Sequence, residues 1–138
     1  MIIRPLIKED LPFLLEIRNE CREYLHDSKI FTLEECINWF ESTQPKFYIL
    51  EYLGERIGYF RTSNWSKDSV YIGLDIHKNY RGKGYAVTAY KLFIDKLDKE
   101  IYYLKVLMKN KRAIHIYKKL GFQIIGTCQN SLDMRLCK

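Results

Sequence analysis

The sequence predicts an α/β (α+β) domain: one mixed, mostly antiparallel sheet flanked by helices, in the order β-α-α-β-β-β-α-β-α-β-β. Three observations lead there. Runs with apolar residues at every second position alternate along the chain with runs spaced by three and four. Only short polar turns separate them, with no linker, repeat or low-complexity stretch. The 138 residues, 47% hydrophobic and 14% aromatic, suffice for one core and do not suit a disordered chain, so 1–138 reads as a single domain.

Met1–Arg4 is a short apolar strand ended by Pro5. Leu11, Leu14, Leu15, Ile17 and Arg18 make Leu6 to about Tyr24 helical, with Pro12 tolerated in the first turn. Arg22–Lys29 is polar and reads as a loop. Thr32-Leu33-Glu34-Glu35 fits a capping box, Thr32 capping and Glu35 reaching back. The helix behind it carries Leu33, Cys36, Ile37 and Phe40 at helical spacing and ends at Gln44-Pro45. Lys46–Leu53 and Arg56 to about Asn64 read as a hairpin around Gly54-Glu55, followed by a turn at Trp65–Ser69. Val70, Ile72, Leu74 and Ile76 alternate as in a strand. After a polar turn, Ala86, Ala89, Tyr90, Phe93 and Leu97 form a helical stripe. Ile101–Met108 is a strand, Lys109–Leu120 a short helix stopped by Gly121, and Phe122–Thr127 and Leu132–Cys137 the last strands.

The net charge of +6 admits nucleic acid, an anionic membrane or a polyanionic small molecule as partner. The 23 basic residues are spread along the chain and form no recognition motif. A nucleic-acid-binding module therefore stays as the alternative class, with nucleic acid not the favoured partner. Cys21, Cys36, Cys128 and Cys137 make no C-x-x-C pair, and His26, His77 and His115 cluster with none of them. No metal is expected, and the thiols read as reduced and packed as small apolar residues in a cytoplasmic protein. Arg4, Pro5, Lys8, Glu9 and Asp10 interrupt any signal-peptide run, and no apolar stretch reaches the length of a membrane span.

The stretch with chemical content is Val70–Leu97: a strand, the turn Arg81-Gly82-Lys83-Gly84, then a helix. A helix N-terminus offers unpaired N–H groups and partial positive charge. Glycines let an anion approach those donors, and Arg81 and Lys83 add full charge. The turn predicts a phosphate or pyrophosphate site. It is not a Walker A loop, since Gly84 follows Lys83 and His77 stands where the first glycine belongs. It is not the dinucleotide fingerprint, whose last glycine is Val87 here.

The turn does match R/Q-x-x-G-x-G/A through Arg81, Gly84 and Ala86. In this setting it resembles the acetyl-CoA loop of the GNAT N-acetyltransferase superfamily. Asn110, Ala113, Tyr117, Lys119, Gly121 and Phe122 resemble a second pattern of that family, N-x-x-A-x-x-x-Y-x-K-x-G-F, on a short helix after a strand. Ile3-Arg4-Pro5 and Glu9-Asp10-Leu11 resemble its first strand and helix, so the likeness covers essentially the whole chain. Two departures stand out. Lys78 replaces a common proline, and no carboxylate matches the position, about Val70, where many relatives carry a glutamate base, so that base is not carried over.

The resemblance implies direct acetyl transfer from acetyl-CoA to an amine. It implies that Arg81, Gly82, Lys83, Gly84, Tyr85 and Ala86 hold the pyrophosphate. Ile76 would pair with the pantetheine arm through its backbone, Asn110 would bond that arm, and Tyr117 would protonate the leaving thiolate. For the base, Asp75 at the strand end is the first candidate, with His77 and a water chain as rivals. Asp75 also reads as a structural carboxylate. The acceptor is expected to be a small amine rather than a protein. Ile17-Arg18-Asn19, Thr32–Glu35 and Trp39-Phe40 weakly resemble members that acetylate nucleotide-linked amino sugars, and a basic chain suits that acidic substrate. A peptide N-terminus of the ribosomal-protein type is the alternative, polyamines stay open although a positive cleft would disfavour them, and a homodimer is left open.

Overall fold

Seven strands and four helices alternate along residues 1–20 and 30–138, the part of the chain that this computed structural model describes. They are β1 (Ile2–Pro5), α1 (Leu11–Glu20), α2 (Leu33–Thr43), β2 (Tyr48–Tyr52), β3 (Glu55–Ser63), β4 (Ser69–Ile76), α3 (Tyr85–Leu97), β5 (Ile101–Leu107), α4 (Lys111–Leu120), β6 (Gln123–Cys128) and β7 (Ser131–Cys137). The strands form one sheet of order β1-β2-β3-β4-β5-β7-β6. The β1–β2, β2–β3, β5–β7 and β6–β7 ladders are antiparallel, and β4–β5 is parallel. A parallel neighbour requires a crossover, and α3 supplies it. The element order and the mixed sheet agree with the sequence reading.

The differences are local. Helix α1 is shorter at its start than expected, because Lys8–Asp10 forms a separate 3₁₀ turn. The expected continuation to Tyr24 and the loop Arg22–Lys29 fall outside the described residues but for Glu20 and what precedes it. The hairpin turn is Leu53-Gly54 rather than Gly54-Glu55: both have positive φ, 52° and 80°, the type I′ geometry that matches strand twist. Helix α4 begins one residue after Asn110, not at Lys109.

The chain divides into two compact units, residues 1–61 with 74–83, and residues 62–73 with 84–138. In the first, Leu6, Leu11, Leu14 and Ile17 cluster with Cys36, Ile49 and Tyr59. Each such fully buried apolar side chain contributes about 1.5–3 kcal/mol. At the edge of this unit Asp10 is buried and held by charge. Arg4 forks onto it at 2.7 and 2.8 Å, Ile7 N–H donates at 3.0 Å and Arg56 at 3.2 Å. Burial pushes the Asp10 carboxyl up, but the Arg4 bonds, the Ile7 amide and the neighbouring charges outweigh it and leave it below the ordinary range.

In the second unit β5 buries Tyr102, Leu104 and Val106 at alternate positions, the period a one-faced strand requires. The Tyr102 hydroxyl donates to the Ile94 carbonyl and accepts from the Lys99 amide, both at 2.7 Å, which ties the end of α3 to β5. Cys36 is buried as expected, and burial pushes its thiol up. Cys128 and Cys137 depart from the expectation of packed thiols: both are exposed on the last two strands. Among the described residues no helix is long and apolar enough to cross a membrane.

Candidate active site

The end of β4 and the loop behind it are built from backbone upward. Gly58 on β3 has no Cβ, and one added there would lie 2.6 Å from the Asp75 carbonyl oxygen, so only glycine lets the chain come this close. His77 N–H donates to the Ile57 carbonyl at 2.8 Å. A 3₁₀ turn, Lys78–Tyr80, then reverses the chain. Arg81 reaches back, its Nε donating to the Ile76 carbonyl at 2.7 Å. Thus Ile76 and Arg81, both expected at the site, are joined directly. The Ile76 carbonyl is engaged by that bond.

Gly82 and Gly84 sit at φ 75° and 81°, the left-handed region that side chains resist. Gly84 is the N-cap of α3, and no side chain caps that helix. A Cβ at Gly84 would meet nothing within 4 Å. Helix α3 therefore opens without the side-chain cap that helix starts ordinarily carry. Lys83 extends over the Tyr80 ring at 6.0 Å, and Arg81 lies 4.0 Å from Glu20.

Asp75 is buried and faces Arg61, with Oδ2 at 3.0 Å from Nε and Oδ1 at 3.4 Å from Nη2. A guanidinium against both oxygens favours the structural reading of this carboxylate. His77 is buried too. Its ring stacks on Phe13 at 6.1 Å and meets the edge of Tyr80 at 6.3 Å. Its Nδ1 accepts from the Asn79 amide at 3.2 Å, so the neutral ring carries its proton on Nε2 and donates it to Glu16 at 3.1 Å. Neither nitrogen is left to act as a base. The same bonds occupy the ring within the group Glu16, Glu20 and His77, whose ligand atoms lie within 4.8 Å of one another, so no nitrogen lone pair faces a metal there.

Helix α4 carries the other two expected residues. Asn110 is its N-cap, Oδ1 accepting from the Ala113 amide at 3.3 Å, which leaves the Nδ2 amide hydrogens for other partners. Gly121, at φ 104°, ends the helix. Two turns after Asn110, Tyr117 is buried, its ring against the edge of Tyr90 at 5.6 Å and beside Phe122 at 6.0 Å. The Tyr90 hydroxyl donates to the Tyr117 hydroxyl at 3.2 Å.

Arg61, Glu16, Gly58 and Tyr90 were not singled out for the site from sequence. Tyr90 carried a signal: a tyrosine on a buried helical stripe needs a partner for its hydroxyl.

A model of the acetyltransferase (GNAT) family matches residues 11–122, most of the chain. The chain belongs to that family. This acetyltransferase is 29% identical over 136 residues to the spermidine N(1)-acetyltransferase of Escherichia coli K12, a match covering 90% of the chain and 73% of that relative. Its fold is that of yncA from Salmonella typhimurium, solved with its cofactor acetyl-CoA, at TM-score 0.78 and 20% identity over 99% of this chain and 93% of that one. It is also that of the ribosomal-protein-alanine N-acetyltransferase from Brucella melitensis, at TM-score 0.80 and 20% identity over the whole of both chains.

Proposed function

We propose that residues 1–138 act as one acetyl-CoA-dependent N-acetyltransferase domain that moves an acetyl group to a primary amine by direct attack in a ternary complex. The observation that carries this is the start of α3: an uncapped N-terminus behind two left-handed glycines, preceded by Arg81 and Lys83. Such a start fits a pyrophosphate, whose charge meets both cations and whose oxygens accept from the amides of Gly82–Ala86. The Ile76 N–H and the Asn110 Nδ2 amide suit the amide groups of the pantetheine arm. Bound there, acetyl-CoA supplies the acetyl thioester.

The residues of the chain then have two proton tasks. The attacking amine gives up one proton, and the departing sulfur takes one. Tyr117 donates its hydroxyl proton to the sulfur as the carbon–sulfur bond breaks, with the electron pair leaving on sulfur. The phenolate so formed is neutralised by the proton the amine releases. Asp75 stays held by Arg61 and His77 by Asn79 and Glu16, so a water chain relays the amine proton.

The acceptor follows from where the charge lies. Residues 62–73 and 84–138 hold twelve basic and five acidic residues, net +7, and residues 1–61 and 74–83 hold eleven basic and twelve acidic, net −1. The excess positive charge belongs to the segment with Gly84 and Asn110, while Arg81 and Lys83 are counted in the other. The segment with α1 and α2, the usual acceptor wall of the family, carries none. The basic balance therefore gives no support to the nucleotide-linked amino sugar, and a cationic small amine suits this segment better. The E. coli relative, by its name, acts on spermidine. A polyamine is the acceptor class we propose. The test is release of free CoA from acetyl-CoA with spermidine, a nucleotide-linked amino sugar and a ribosomal-protein N-terminal peptide at matched concentrations. Spermidine is expected to give the highest kcat/KM; preference for the sugar or the peptide overturns the acceptor, and no release with any amine overturns the activity.

A further inference from the structure

We infer that Tyr90, on α3, is a positioning residue for acetyl transfer, acting on the leaving sulfur through Tyr117. The inference rests on the proton-donor reading of Tyr117 and adds a second phenol behind it. Tyr90 is 1% exposed and Tyr117 7%, so both hydroxyls lie where water competes poorly for them. The rings meet edge to face, 86° between planes, which fixes their relative orientation, and the Tyr90 hydroxyl donates to the Tyr117 oxygen at 3.2 Å. That direction has two chemical consequences. Tyr117 accepts from Tyr90, so its own hydrogen is not spent on that bond. When that hydrogen is given to sulfur, the negative charge appears on the oxygen that already receives a hydrogen bond. A bond to an ion is stronger than the same bond to a neutral phenol, so the contact strengthens as the proton leaves. Proton and electrons balance as before: the O–H bond of Tyr117 breaks, an S–H bond forms, and Tyr90 keeps its own proton throughout.

A packing role would need only the two rings. Tyr90→Phe keeps the ring and removes the donor, and a double-mutant cycle with Tyr117→Phe separates the two roles. The expected result is a kcat about tenfold lower in Tyr90→Phe, the scale of one hydrogen bond to an ion, with the KM for acetyl-CoA within about twofold. In the Tyr117→Phe background the same change should have no further effect on kcat. An equal fall in both backgrounds, or no fall in the single variant while Tyr117→Phe is impaired, overturns the role of Tyr90 and leaves Tyr117 standing. An unimpaired Tyr117→Phe overturns the donor reading and this inference with it. A readout free of turnover completes the set. With tyrosine labelled at Cζ, the Tyr117 resonance, identified by its loss in Tyr117→Phe, should move in Tyr90→Phe because its oxygen loses a donor. A resonance that stays in place overturns the inference even if kcat falls.

Discussion

Helices α2 and α4 begin in one way and α3 in another. Helix α2 opens on a closed box: Thr32 accepts from the Glu35 amide at 3.2 Å, and the Glu35 carboxylate accepts from the Thr32 amide at 3.1 Å. Helix α4 opens on Asn110, whose side chain accepts from Ala113. Both satisfy part of their own first turn. Helix α3 opens on Gly84, which has no side chain to offer. A side chain caps the first turn in two places and none does in the third, and only the third is preceded by Arg81, Gly82 and Lys83. The proposed ligand role of α3 rests on that difference.

The change that breaks this contrast most directly is Gly84→Asp. It hands α3 a side-chain acceptor, as Thr32 gives α2 and Asn110 gives α4, at a φ of 81° that strains any side chain. At a hundredfold excess of acetyl-CoA over its Kd, the wild-type protein should gain about 2.7 kcal/mol of stability. The variant should gain none, read as the difference between thermal melts with and without ligand. A folded variant with the full gain would remove the loop from the phosphate site.

Asn110→Asp sharpens the contrast, because aspartate caps as well as asparagine but lacks the amide hydrogens. The melting temperature should hold while the Kd for acetyl-CoA rises about tenfold, the scale of one lost hydrogen bond. An unchanged Kd by calorimetry would make Asn110 a cap and nothing more. The smallest effect belongs to the purely structural start. Thr32→Ala should cost about 1 kcal/mol in urea unfolding and leave acetyl-CoA affinity unchanged; an altered affinity would argue against the division drawn between these helices.

These starts were legible in the sequence because each is written in neighbouring residues. The box at Thr32–Glu35, the cap at Asn110 and the glycines about Lys83 all sit within a few positions of what they act on. The hairpin was legible as well, but its turn lies one residue earlier than read, because Leu53 adopts a left-handed conformation that its residue type does not advertise. What distant chain segments bring together was not legible. Asp75 reads from sequence as a candidate base or a structural carboxylate until Arg61, 14 residues away, is seen against it, and the hydrogen bond from His77 to Glu16 spans 61 residues. Tyr90 was visible as part of an apolar stripe, which accounts for its ring and is silent about its hydroxyl. The net charge hides its distribution for a related reason: a single value of +6 sums a segment of net −1 with one of net +7.

Gly58 makes part of the loop's stability hostage to a position with no chemistry of its own. Alanine is the smallest residue that could replace it, and even a methyl group there must displace the Asp75 carbonyl. Asp75 is followed by Ile76, and the Ile76 carbonyl is what the Arg81 side chain grips. A displacement at Gly58 thus travels along two peptide units and one side chain to the cation that introduces α3. The loop is steered from a neighbouring strand, by an atom that is not there.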